Sequence, residues 1–197
     1  MYKSVIYFFF ITVIIAACTD SKTGKQSSEY AIDSNELVFQ NRLKTIEENY
    51  KRINAVSTWE RIDSVDLHES TEGGAAIYYR LNNKLEKIIA IYFGETFKTT
   101  EEYYLLNGQL SFTLETSLKY NRPIYWDSTQ MKENNDTEVF DPSKSEVTEN
   151  RNYFENGEII HRTNNQDCGA LDAREFVIQE QERMKKEYKK YLSLIEE

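Results

Sequence analysis

Two stretches of the chain carry a helical hydrophobic rhythm, and the long segment between them alternates with a period of two. Phe39, Leu43, Ile46, Tyr50 and Ile53 recur at spacings of four and three, which places them on one stripe of a helix. That helix is expected to end near Val56 to Trp59, where β-branched and aromatic residues take over. Val177, Met184, Tyr188, Tyr191 and Ile195 form a second stripe, interrupted by Gln181. Glu182 and Lys186 support its exposed side in the favourable order. Both helices share a start signal: Ile32-Asp33-Ser34-Asn35-Glu36-Leu37 and Leu171-Asp172-Ala173-Arg174-Glu175-Phe176. In each, Asp can cap the first free N–H groups, Glu can reach back to the Asp backbone, and the flanking apolar residues can staple.

From Trp59 to about Thr163 the pattern is that of strands. Leu110, Phe112 and Leu114 alternate with Ser111, Thr113 and Glu115, which predicts a half-buried strand. Ile88, Ala90 and Tyr92 alternate with Ile89, Ile91 and Phe93, which predicts a central strand covered on both faces. The turns follow one template, Tyr-x-x-Asn-(Gly/Asn)-x-(Leu/Ile). It occurs from Tyr79 to Leu85, from Tyr104 to Leu110 and from Tyr153 to Ile159. Asn-Gly accepts positive φ at both central positions, as a type I′ hairpin turn needs. Glu72-Gly73-Gly74 supplies another turn signal. The expectation is an α+β fold. An antiparallel meander of about seven or eight strands is flanked by an N-terminal and a C-terminal helix that pack on the same face.

The Tyr-x-x-Asn-Gly-x-Leu hairpin resembles the unit of MORN-variant repeat proteins. The resemblance covers three short segments, implies repeated β-hairpins and implies no catalytic residue. The stretch from Asp127 to Glu149 is polar and broken by Asn134-Asn135-Asp136 and Pro142. It is expected to be a long surface loop without order.

The first residues change the picture. An apolar run from Val5 to Ile15 follows Lys3 and leads into Ile15-Ala16-Ala17-Cys18. The run is about 11 residues, too short to span a bilayer, which takes roughly 20. A basic start, a short apolar stretch, small residues and then cysteine make up a lipoprotein leader. Ile-Ala-Ala-Cys resembles the lipobox of bacterial lipoproteins. The resemblance implies removal of residues 1–17 and acylation of Cys18, hence a membrane partner reached through the lipid. Thr19 rather than Asp follows the cysteine. By resemblance to Gram-negative lipoproteins, that argues against inner-membrane retention and for the outer membrane. Residues 18–31 are polar and are expected to be a flexible tether, and residues 32–197 are expected to form a single domain.

The chain carries 24 Lys and Arg against 33 Asp and Glu. The leader contains Lys3 and no acid, so its removal takes the formal charge from −9 to −10. Such a surface repels phosphate backbones, and nucleic-acid binding is excluded. With Cys18 acylated, Cys168 has no intrachain partner and is expected to be structural. The only histidines are His68 and His161, and neither sits in a zinc motif. Asp66 and His68 share a face if their segment is a strand, and with Glu72 they offer a candidate metal pair for a hydrolase. A solvated strand edge explains the same residues. No cofactor is expected. The best recognition candidate is Tyr120-Asn121-Arg122-Pro123-Ile124-Tyr125-Trp126, rich in the residue types that dominate binding hot spots. Tyr120, Arg122, Tyr125 and Trp126 form the candidate surface for a protein or glycan partner. The expected function is a lipid-anchored, non-enzymatic binding module of the cell envelope. The alternatives are an envelope hydrolase using His68 and Asp66, and a structural envelope component.

Overall fold

The computed structural model describes residues 34–166 and 174–195. The expectations for the leader, Cys18, the tether, the caps at Asp33 and Asp172, and Cys168 lie outside those residues. The elements run α1 (Ser34–Asn54), β1 (Arg61–Leu67), β2 (Gly74–Leu81), β3 (Lys84–Phe93), β4 (Phe97–Leu106) and β5 (Gln109–Lys119). They continue with α2 (Ser128–Glu133), a 3₁₀ turn (Pro142–Lys144), β6 (Glu146–Glu155), β7 (Glu158–Asn164) and α3 (Arg174–Ser193). The seven strands form one sheet in sequence order, each antiparallel to the next. This is the expected α+β meander, with one helix before the first strand and one after the last. Among the described residues no helix is long and apolar enough to cross a membrane.

All three template hairpins turn through two residues with positive φ: Asn82 and Asn83, Asn107 and Gly108, Asn156 and Gly157. Each also has a register shift directly after its tyrosine, at Tyr79/Arg80, Tyr104/Leu105 and Tyr153/Phe154. The extra residue on the opposing strand is Glu86, Ser111 or Ile160. A bulge reverses the side-chain alternation across it. The two signature positions of the template therefore serve opposite faces. Tyr104 and Tyr153 pack with α1, whereas Leu85, Leu110 and Ile159 pack with the α3 cluster.

The helices lie on opposite faces, which corrects the expectation of a shared one. Tyr103 and Tyr104 are adjacent in β4, so they point to opposite sides. Tyr103 meets Tyr188 and Tyr191 of α3 at ring separations of 6.0 and 5.4 Å. Tyr104 meets Tyr50 of α1 at 4.9 Å. The layers are helix, sheet, helix. Both helical stripes are occupied as the spacing predicts: Ile46 and Ile53 are buried in α1, Met184 and Tyr191 in α3. Burying a side chain of this size contributes about 1.5–3 kcal/mol. Gln181 interrupts the second stripe for a reason, since its Oε1 accepts the Ile159 N–H at 2.8 Å.

Two strand expectations change with the second helix. β5 is not half-buried, because Ser111 and Thr113 are 4% and 2% exposed, as buried as Phe112 and Leu114 beside them. Leu110 does not share a face with Phe112 and Leu114, because the bulge at Tyr104/Leu105 lies between them and sends it to the α3 side. β3 is buried at Ile88 and Ala90 on the α3 side. Ile89 and Ile91 on the other side are only half-buried, since α1 crosses near the hairpin turns and leaves the far half of that face open.

Candidate functional site

Alternation of the meander puts the three tight turns at one end of the sheet. The connections 68–73, 94–96 and 120–145 lie at the other. The connection from β5 to β6 is the long one and holds every residue of the predicted recognition surface. Contrary to the expectation of disorder, it is folded. Asp127 caps α2 by accepting the N–H groups of Thr129 and Gln130 at 2.7 and 3.0 Å. Asp141 caps the 3₁₀ turn through the Ser143 N–H at 2.9 Å. Phe140 N–H donates to the Trp126 carbonyl at 2.8 Å, and the Tyr120 and Phe140 rings meet edge-on at 5.2 Å.

Asp136 is the hub. The Arg122 fork donates to it through Nε and Nη2 at 2.5 and 2.7 Å. Trp126 Nε1 donates to the same carboxylate at 3.1 Å. A bidentate guanidinium–carboxylate pair fixes both orientation and distance. The Arg122 fork, helped by the Thr137 and Glu138 N–H groups, holds the Asp136 carboxyl well below the usual carboxylate range. The Asn121 side chain closes the far side, donating to the Val139 carbonyl at 3.0 Å and accepting the Asp141 N–H at 2.9 Å. The loop is tied to the sheet by Tyr120 N–H to the Thr96 carbonyl and Ile124 N–H to the Glu95 carbonyl, at 2.9 and 2.8 Å.

The predicted surface therefore divides. Arg122 and Trp126 spend their donors inside the loop and position it. Tyr125, 55% exposed, and its neighbour Ile124, 44% exposed, stand outward. Beside them runs a groove of about 510 Å³ lined by Thr96, Phe97, Thr99, Ser117, Tyr120 and Pro123, among others. Phe97 is 41% exposed, and its seat requires Gly94, since a Cβ there would fall 2.3 Å from the ring. Phe97, Thr99 and Ser117 escaped the sequence reading. Gly94 three residues before an aromatic was the one local sign, and the Thr99–Ser117 pairing shows only in the register.

The catalytic alternatives are placed as follows. His68 follows β1 at one edge of the sheet, and His161 lies in β7 at the other. Six strand spacings, about 29 Å, separate them. His161 packs against Phe39 and Tyr153 at 6.1 and 5.3 Å between ring centroids. Asp66 and His68 are both exposed at the open edge. Among the described residues no three His, Cys, Asp or Glu are gathered for a metal.

The most buried acid belongs to a closed network under α3. Glu101 accepts the hydroxyls of Tyr103 and Tyr191 at 2.7 and 2.9 Å. The Tyr92 hydroxyl lies 2.6 Å from that of Tyr191 and reaches the Glu69 carboxylate at 3.3 Å. Lys190 in turn donates to Tyr92 at 3.2 Å. Lys190 also donates outward, to Glu69 and Glu187 at 2.6 and 2.8 Å. Burial raises the Glu101 carboxyl above its ordinary range, and the tyrosine bonds only partly offset that. This network joins α3 to the sheet.

No protein-family model, no curated protein and no solved structure matches this chain. The functional reading therefore rests on the geometry of the site and on the motif at Cys18.

Proposed function

We propose that the protein is a lipid-anchored binding module of the bacterial cell envelope, recognising its partner with the loop end of the sheet. The anchor reading is supported by Ile15-Ala16-Ala17-Cys18 behind a short apolar run, and by the polar tether that follows. Residue 19 favours the outer membrane. The recognition reading is carried by one observation. The connection 120–145 is locked by the Arg122–Asp136–Trp126 cluster, yet it holds Ile124 and Tyr125 out to solvent. A pre-organised loop loses little entropy when it binds, so order in an exposed aromatic loop favours recognition. Ordered long connections are commonly functional.

Two measurements test this. Cys18→Ser should move the protein out of the membrane fraction and abolish acylation. An unchanged distribution refutes the anchor. Partners captured by the full chain from detergent-solubilised membranes should be lost with Ile124→Ser/Tyr125→Ala. Retention of every partner by that variant refutes the surface.

A further inference from the structure

The groove beside the loop says what kind of ligand it suits. We propose that it holds a neutral saccharide of one or two rings, an inference that rests on the recognition reading above. Three observations carry it.

The first is that the backbone there is closed. The groove lies over β4 and β5, both interior strands. Thr99 pairs with Tyr92 and Ser117, and Ser117 with Thr99 and Thr148. An extended peptide has no edge to join at that point, so a ligand must be recognised by side chains.

The second is that the charges are paired among themselves. Lys119 bonds Glu146 at 3.2 Å, Arg122 is held by Asp136, and Lys144 bonds Glu138 at 3.0 Å. Of these, Lys119 and Arg122 line the groove itself, and an anionic ligand would have to break one of their pairs to reach a cation, whereas a neutral one leaves both in place.

The third is the lining. Thr99 Oγ1 and Ser117 Oγ sit 3.4 Å apart and share one proton between them. That leaves one hydroxyl donor and several lone pairs for a ligand. Thr96 and Tyr120 line the same groove. Hydroxyls that both donate and accept match a polyol. The half-exposed Phe97 ring supplies an apolar plate for the C–H face of a pyranose. The volume of about 510 Å³ lies within the range of small-ligand sites.

The test is binding of the full chain, in detergent micelles, to an array of defined neutral and acidic oligosaccharides. The strongest neutral hit is then followed by titration calorimetry. Neutral glycans should be retained. Phe97→Ala should weaken the titrated glycan about tenfold, and Thr99→Val/Ser117→Ala by a few-fold to about tenfold. Tyr125→Ala should change it less than twofold. The Thr99 and Ser117 exchanges remove hydroxyls while nearly keeping volume, which guards against loss of folding as the cause. Retention of acidic glycans alone, of no glycan, or of neutral glycans with both groove variants unaffected overturns the proposal. If a protein partner is captured through Ile124 and Tyr125 while no glycan binds, the saccharide falls and the recognition surface stands. If both assays are blank, both fall.

Discussion

The two ends of the sheet are built on different principles. At the turn end, three two-residue hairpins repeat one template, each with a bulge after its tyrosine. The hollows there are bordered by residues that pair with each other. One of about 300 Å³ is lined by Arg42 and Glu155, which bond each other at 2.6 Å. Asn49 of α1 reaches in to bond the Leu105 carbonyl at 2.9 Å, at a bulge. At the loop end nothing repeats. A long connection folds on its own polar cluster, and aromatic side chains remain in solvent. Repetition serves the core, and the irregular end is the one proposed to recognise a partner, as loops on a rigid scaffold commonly do. The same locality appears within β4, where Glu101 and Tyr103 serve α3 while Glu102 and Tyr104 serve α1.

If the ends are separable, changes at one should leave the other intact. The largest effect is expected from Ile53→Ala, which empties a fully buried site under α1. It should cost about 2–5 kcal/mol in denaturant unfolding, with partner capture by the folded fraction unchanged. Asn49→Ala leaves the Leu105 carbonyl without its side-chain donor and should cost about 1–3 kcal/mol by the same measurement.

Glu101→Gln probes the α3 layer between the ends. The Glu101 carboxyl is raised in the fold. Its contribution is therefore full below the unfolded value, near 4.3, and declines as pH rises through the folded one. The variant should gain stability relative to wild type as pH rises, read from unfolding curves between pH 4 and 8. A constant difference across that range contradicts the network.

Asp136→Asn acts only at the loop end. Protease nicking within 120–145 should speed several-fold while the unfolding midpoint of the sheet stays in place. The sign for pH is the reverse of Glu101. A depressed Asp136 holds the loop above the ordinary aspartate value, about 3.9, and releases it as pH falls through the lower folded one. Loop nicking should thus stay constant through mild acid and rise only in strong acid.

Much of this architecture was legible because its causes are local. Asn107-Gly108 and Asn156-Gly157 name their own turn type, and the spacings of Ile46 to Ile53 and Met184 to Tyr191 name their own helices. The bulges were hidden, because a shift of one residue leaves the sequence alternation of Leu110, Phe112 and Leu114 untouched while moving Leu110 to the other face. The placement of the helices was hidden too. Their stripes look alike, and only the opposed contacts of Tyr103 and Tyr104 tell one face from the other. At the site, the aromatic segment stood out by composition, but the division of labour within it did not. Arg122 meets Asp136 fourteen residues away, a pairing that no spacing rule encodes. Phe97, Thr99 and Ser117 form a groove only through strand register, so no linear motif marks them.

The most direct measurement is capture from detergent-solubilised membranes with three forms of the full chain. They are wild type, the loop-end variant Ile124→Ser/Tyr125→Ala and the turn-end variant Lys84→Ala/Gln109→Ala. The account predicts that the loop-end variant loses the partner while the turn-end variant keeps it. Loss with the turn-end variant, or equal retention by all three, would contradict it.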